Sequence, residues 1–453
     1  MLCALLLACS PLALGHRAGE TVVLSDKSLS IVLPELESFA RQEGAGKNPM
    51  GDWVGQRGGS RIRIRLNLMP IAEYDFFDPE DVVETWRSAL LDPESTRDED
   101  KDHRFVFGKI RAIPAAAGAT PILAVLRGTV AKKTEPQAHG LVMFAGGLLA
   151  DDGWSLRVDA WPAPSEEETA RLATWLESCA TYSGKPRDPK WTDAEALAYW
   201  KRYAPESALK KFEKPVRTAH FIFLTNSTSP NLYVKLIESR YDAVRKILPF
   251  EDLPGRRLLP VVLFRTHDDF EAFYRHRYKL ESKDDVSDAG IAFDEVYITS
   301  CDRGSEFGHG LDVSKQVLIS RQRGWGGCLW FRSGIREYAS NKPKDRLDGL
   351  RAVKKGKHTP LAKLLDDRSW GDQSEKYDRK GTSDEANYWE QSAMWMEFLR
   401  EGPWPKDAFG RLVDTIGSMP NGDLPGLTTA VETIYGTDLM TLEKKWVEYF
   451  KKR

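Results

Sequence analysis

The sequence predicts an α+β protein built in two parts. Three observations carry that expectation. Arg61-Ile62-Arg63-Ile64-Arg65-Leu66 alternates strictly between charged and apolar, the period of a strand with one buried face. Farther on, two apolar runs, Phe221-Ile222-Phe223-Leu224 and Leu258-Leu259-Pro260-Val261-Val262-Leu263-Phe264, flank an amphipathic stretch in strand–helix–strand order. Between these regions Gly184-Lys185-Pro186-Arg187-Asp188-Pro189 places two prolines among charges, the composition of a joint between domains.

In chain order, Thr21-Val22-Val23-Leu24 is a short strand, and residues 29–42 read as strand or helix, with Pro34 unfavourable to both. Residues 44–59 are glycine-rich and read as a loop or exposed turn around Asp52-Trp53-Val54. The arginines of the alternating strand face water, a solvated stripe, with an anion site as the alternative. Asp78-Pro79-Glu80-Asp81 opens a helix through Leu91, with Asp as N-cap and Pro at its first position. Strands follow at 105–113, 121–130, 140–145 and 154–160, the last two joined by the turn Asp151-Asp152-Gly153. Ser165-Glu166-Glu167-Glu168 is a capping box starting a helix to about residue 181. This half is an open sheet with helices on its faces, and Gly146-Gly147 does not sit in a phosphate-binding motif. After the joint, residues 191–212 form a connecting helical segment. A strand at 219–226 and a helix at 231–248 follow, the helix apolar at Leu232, Leu236, Tyr241 and Val244. The strand at 258–264 precedes a helix opened by Asp268, and then Ala289-Gly290-Ile291-Ala292-Phe293 and Val296-Tyr297-Ile298-Thr299.

Sixty-five basic against 67 acidic residues leave a net charge of -2, which speaks against a nucleic-acid partner, since such proteins carry a basic surplus. The apolar run from Leu2 to Leu14 is too short to span a bilayer and reads as the core of an export signal over residues 1–18. Within it Leu6-Leu7-Ala8-Cys9 resembles a bacterial lipobox, which makes Cys9 a lipidation candidate. The expected location is the bacterial cell envelope or periplasm, with the membrane reached only through that lipid. Cys179, Cys301 and Cys328 lack C-x-x-C spacing and form no zinc ribbon. Cys301 and Cys328 either pair in an oxidising compartment or remain free thiols.

Residues 312–338 read Asp312-Val313-Ser314-Lys315-Gln316-Val317-Leu318-Ile319, a Gly- and Arg-rich turn, then Leu329-Trp330-Phe331-Arg332-Ser333-Gly334-Ile335-Arg336-Glu337-Tyr338. This resembles the active-site region of the gluzincin-type, or peptidase MA-like, metallopeptidases. In that family a helix carries H-E-x-x-H and a second helix, entered by W-L-x-E-G-L-A-E-Y, supplies the third zinc ligand. Trp330, Gly334, Ile335, Glu337 and Tyr338 match the second helix. Asp312 and Gln316 stand where the histidines belong, Val313 on the general base, and Ser333 on the third ligand. The strand–helix–strand region also resembles the start of such domains, and 359–365, 388–393 and 434–449 their helical continuation. The likeness covers about residues 219–453, within a domain placed at 216–453, and implies a small sheet followed by a mostly helical part. The first half, at 19–184, lies outside it and resembles the α/β/α sandwiches of small exported or photosynthesis-associated accessory proteins. Residues 185–215 are the linker and connecting helix.

Two histidines at i and i+4 share a helix face, and a zinc site closes when a third ligand arrives and water takes the open place. Gln316 and Ser333 offer only weak ligands, and Val313 accepts no proton. The resemblance therefore implies a peptidase frame without zinc, cofactor or catalytic residues. It implies an exported, non-catalytic homologue that binds a peptide or protein in the vestigial cleft, or acts as a scaffold. The alternative is a metal-dependent hydrolase with unusual ligands, drawing on Asp312, His309 and Glu337.

Overall fold

The computed structural model describes residues 21–24, 28–42, 49–71, 77–91, 100–114, 122–149, 151–183, 187–248, 250, 253, 255–280, 290–293, 296–302, 317, 329–340, 343–366, 388–418 and 424–453. The protein is α+β, with a sheet-rich first part and a mostly helical last part. Its compact units divide between Pro186 and Arg187, and residues 106–110 group with the second.

The first unit contains β1 Thr21–Leu24, β2 Leu29–Val32, β3 Glu37–Arg41, β4 Pro49–Arg57, β5 Ser60–Pro70, α1 Pro79–Leu91, β6 His103–Phe107 (as far as residue 105), β7 Arg111–Pro114, β8 Ile122–Lys132, β9 Glu135–Leu148, β10 Asp152–Trp161, α2 Glu166–Ser178 and β11 Ala180–Tyr182. The main sheet runs β3-β4-β5-β10-β9-β8-β6, with β7 also on β8, and β1-β2-β11 form a small second sheet. Strands β4, β5, β10, β9 and β8 are antiparallel neighbours.

Alternation explains both faces. Ile62, Ile64 and Leu66 of β5, Leu156 and Val158 of β10, and Leu141 and Met143 of β9 bury one face against Leu172 and Leu176 of α2 and Leu29 and Ile31 of β2. Each such side chain contributes about 1.5–3 kcal/mol when fully buried. α1 packs on the other face, against β8, β9 and β10. There Trp86 stacks on Phe144 at 6.1 Å, and its indole N–H donates to Ser155 Oγ at 2.8 Å. The start of α1 is held by the Asp81 carboxylate, which accepts from the Phe77 and Asp78 N–H groups at 2.8 and 2.7 Å.

Several expectations are corrected here. Residues 29–42 form two strands, β2 and β3. Within the glycine-rich stretch, residues 49–57 are the strand β4, with Trp53 in the core and Asp52 buried. The strand expected at 105–113 is two, β6 and β7. α2 stops at Ser178, and β11 then pairs with β2. At the start of α2 only half the capping box forms. Ser165 Oγ accepts from the Glu168 N–H at 3.3 Å, while the Glu168 carboxylate pairs with Arg57 and Arg171.

The second unit contains α3 Asp193–Tyr203, α4 Glu206–Leu209, β12 Val216–Arg217, β13 Phe221–Thr225, α5 Asn231–Ile247, β14 Leu259–Phe264, α6 His267–Tyr278, β15 Ile291–Phe293 and β16 Val296–Ser300. The helices α7 Leu329–Ser340, α8 Pro343–Lys354, α9 Leu361–Leu364, α10 Tyr388–Glu401, α11 Ala408–Ser418, α12 Leu424–Tyr435 and α13 Leu439–Lys451 follow. The sheet order is β12-β13-β14-β16-β15. β13, β14 and β16 are parallel, and both outer strands are antiparallel to their neighbours. The three parallel strands are buried along their whole length, which is why they read as unbroken apolar runs.

Residues expected as a connector are built into this unit. Trp200 of α3 is fully buried, 5.4 Å from the Phe264 ring. α5 buries Val234, Ile237, Tyr241, Val244 and Ile247, whereas Leu232 is 75% exposed. The apolar stripe thus starts at Val234, two residues after the expected Leu232.

Candidate functional site

Two places hold the residues of interest. The first is α7, the helix of the Trp330–Tyr338 match. It packs against α10 and α5. Trp330, Phe331 and Ile335 are fully buried, and Tyr338 is buried behind them. Gly334 lies where α7 meets α10. A Cβ there would stand 2.8 Å from Ser392 O and from Met396 Cγ, so the motif glycine sets how closely the helices approach. The Tyr338 hydroxyl donates to Glu401 and accepts from Arg400 Nη1 at 3.0 Å. Burial, with the Glu401 hydrogen bond added, pushes that phenol up to about 12 despite Arg400.

Ser333 and Glu337 are four residues apart on one side of α7, and both are partly buried. Glu337 pairs with Arg336 at 3.4 Å. Asp312, Val313, Gln316, His309, Cys328 and Cys9 lie outside the described residues, so of the motif only the α7 half is described. Val317, beside Gln316 in sequence, is buried. Cys301 is a free thiol, as is Cys179, whose burial pushes its thiol up to about 12. His220 stacks on Tyr241 at 3.7 Å and shares a 2.6 Å contact with Glu238. His276 is exposed.

The second place lies in the first unit, on the part of the sheet face that forms the floor of a cavity of about 340 Å3. Three cross-strand rows pave it: Arg65 opposite Arg157, Arg63 opposite Asp159, and Arg61 opposite Trp161. Two guanidinium groups directly opposite repel one another. Asp159 relieves this by accepting from Arg65 Nη2 at 2.8 Å and Arg157 Nε at 2.9 Å. Asp100 takes the other end of Arg157 with two bonds, and the neighbouring Asp52 takes Arg63 at 2.7 Å. Arg157 is nearly enclosed, 5.9 Å from both the Phe105 and Phe144 rings. Burial alone would lower its pKa, but Asp159 and Asp100 outweigh that and raise it. Burial likewise pushes Asp159 up, and Arg157 and Arg65 together hold it below the usual carboxylate range.

The solvated arginine stripe expected from β5 is therefore corrected in part. Arg61 is exposed, Arg63 half-buried and Arg65 buried. The wall residues His103, Lys132 and Trp161 were not singled out by sequence reasoning, nor were Asp100, Arg157 and Asp159. Arg157-Val158-Asp159-Ala160-Trp161 alternates just as β5 does, and that was a usable signal. Asp100 precedes β6 and His103 opens it, and neither belongs to a readable pattern.

No protein-family model matches this chain, and no curated protein matches it. Among solved structures it is similar to a cyanobacterial PsbP (CyanoP) from Synechocystis, at 10% identity and a TM-score of 0.28, covering 39% of this chain and 98% of that one. It is similar to the Ran-binding protein Mog1p of Saccharomyces cerevisiae, at 16% identity and a TM-score of 0.22, covering 36% and 86%. LpqN of Mycobacterium tuberculosis, described as involved in cell envelope biogenesis, is similar at 15% identity and a TM-score of 0.21, covering 37% and 92%. None of the three descriptions names a peptidase, and likenesses of this size assign this chain neither a family nor a function.

Proposed function

We propose that this protein is a non-catalytic relative of the gluzincin-type zinc peptidases, exported to the cell envelope, whose second unit binds an extended peptide. The observation that supports this most is the edge of the second sheet. β15 is the outermost described strand there, antiparallel to β16. In such peptidases an edge strand beside the cleft holds substrate, and an edge can take up an extended chain by β-augmentation without any catalytic group. The motif chemistry supports the rest, because Val313 is no base and Gln316 and Ser333 are neutral, weak zinc ligands. Glu337, drawn on by the competing hydrolase reading, is already paired with Arg336.

The apolar run before Leu14 supports export. No described helix is long and apolar enough to cross a membrane, and in this reading a lipid on Cys9 is the attachment. Full-length, uncleaved protein recovered from the cytoplasm on fractionation contradicts export. Peptide binding is tested by hydrogen exchange with a tryptic digest of β-casein as the probe. Exchange at residues 291–293 should slow when the peptides bind. Binding with unchanged exchange there, or no binding, contradicts the edge-strand reading.

A further inference from the structure

We propose that the cavity on the sheet face of the first unit is a binding site for a small organic anion: a carboxylate or phosphate group carried on a flat, apolar ring. Charge is the first argument. The cavity is lined by Arg61, Arg63, Arg65, Lys132 and Arg157 against Asp100 and Asp159. The carboxylates are already committed to Arg157 and Arg65, and Asp52 holds Arg63. Arg61 and Lys132 form no ion pair among the described residues. Two cations are thus left over, both at the same end of the cavity floor.

The wall between them is the second argument. Trp161 lies opposite Arg61 in register, and the Lys132 ammonium stands 5.6 Å from the Trp161 ring centroid. Room for the indole comes from Gly140, where a Cβ would lie 2.4 Å from the ring. His103 adds an imidazole 6.4 Å from the indole, edge to face. Its Nδ1 is buried and has no hydrogen-bond partner among the described residues. A buried ring nitrogen without a partner is uncommon, and this one can hydrogen-bond to a polar group entering the cavity.

Preorganisation is the third. The deeper arginines are pinned by carboxylates, so the floor keeps its shape with the site empty. Arg61 and Lys132 supply the charge-assisted hydrogen bonds, and Trp161 the flat apolar surface. The volume is at the small end of ligand pockets, which suits a single ring with one acidic group. Bulk charge on the chain does not produce this site, because the molecule as a whole is slightly acidic.

The test uses the full chain and calorimetry with four probes: benzoate, phenyl phosphate, inorganic phosphate and neutral benzyl alcohol. Benzoate or phenyl phosphate should bind, more weakly as salt rises, and the tighter of the two identifies the acid group. Inorganic phosphate should bind at least about tenfold more weakly than phenyl phosphate, since it lacks the ring, and benzyl alcohol should not bind measurably. The double variant Arg61→Gln with Lys132→Gln changes side chains that reach water and should fold normally, yet lose about tenfold or more in affinity. Trp161→Leu should weaken the ring-bearing probes and leave inorganic phosphate unchanged. Binding that survives the double variant, or benzyl alcohol binding as well as benzoate, overturns the proposal. No binding of either aromatic acid overturns it as well.

Discussion

Arg157 and Asp100 meet end to end, Nη1 2.9 Å from Oδ2 and Nη2 2.8 Å from Oδ1, with 3% and 6% of their side chains exposed. The pair ties the middle of β10 to the residues just before β6. A buried pair of this kind contributes little net stability over an apolar replacement, because both ions lose their water. Removing one partner is a different matter, since the other charge stays buried.

Asp100→Asn should therefore destabilise the protein by about 3 kcal/mol, with Asp159 sparing Arg157 from complete isolation. The check is urea unfolding followed by tryptophan fluorescence. A midpoint equal to wild type contradicts the assignment.

Asp159 gives a pH dependence with a definite sign. Its pKa is lowered in the folded state, so the unfolded chain takes up a proton first as pH falls. Its contribution is fully present above the unfolded carboxylate value of about 4 and is lost as pH drops through the lower folded value. Asp159→Asn should lower stability at neutral pH and flatten the loss of stability below about pH 4. Stability measured from acid to neutral pH in both proteins checks this, and parallel curves contradict it.

Gly334 and Gly410 make a matched pair of helix glycines. At Gly334 an added Cβ would press on the Ser392 carbonyl and Met396 Cγ, whereas at Gly410 nothing lies within 4 Å. Gly334→Ala should cost about 1–3 kcal/mol through overpacking between α7 and α10. Gly410→Ala in α11 should gain about 0.5–1 kcal/mol from helix propensity. Melting temperatures moving in opposite directions are the expected result.

The sequence was readable where one local period decided the structure. β5 alternates because one face is core, and β13 and β14 are apolar throughout because both faces are. It was unreadable where tertiary contact overrode local signals. Pro49, Gly51 and Gly55 look like a loop, yet a Cβ at Gly51 would lie 1.9 Å from the Trp53 ring, so the glycine is there to let the indole fold over it. The short β11 was swallowed by the expected helix because only its pairing with β2 defines it. For the cavity, both alternating strands were visible, but not that β5 and β10 are neighbours in register. That adjacency alone turns three solvated arginines into a floor shared with Asp159 and Trp161. In the motif region the packing residues Trp330, Ile335 and Tyr338 could be read as a buried stripe. The four positions that would carry the family's chemistry differ from its pattern, and of them only Ser333 lies among the described residues.

The most direct test of the central reading is a calorimetric zinc titration of two proteins side by side: the wild type, and the variant combining Asp312→His, Gln316→His and Ser333→Glu. A lapsed peptidase frame predicts no stoichiometric zinc in the wild type and no shift of its melting temperature with a chelator. It predicts one zinc in the variant, since two histidines a helical turn apart and a carboxylate from α7 complete a three-ligand site. One equivalent of zinc in the wild type would contradict the non-catalytic reading. A folded variant that binds none would contradict the shared frame.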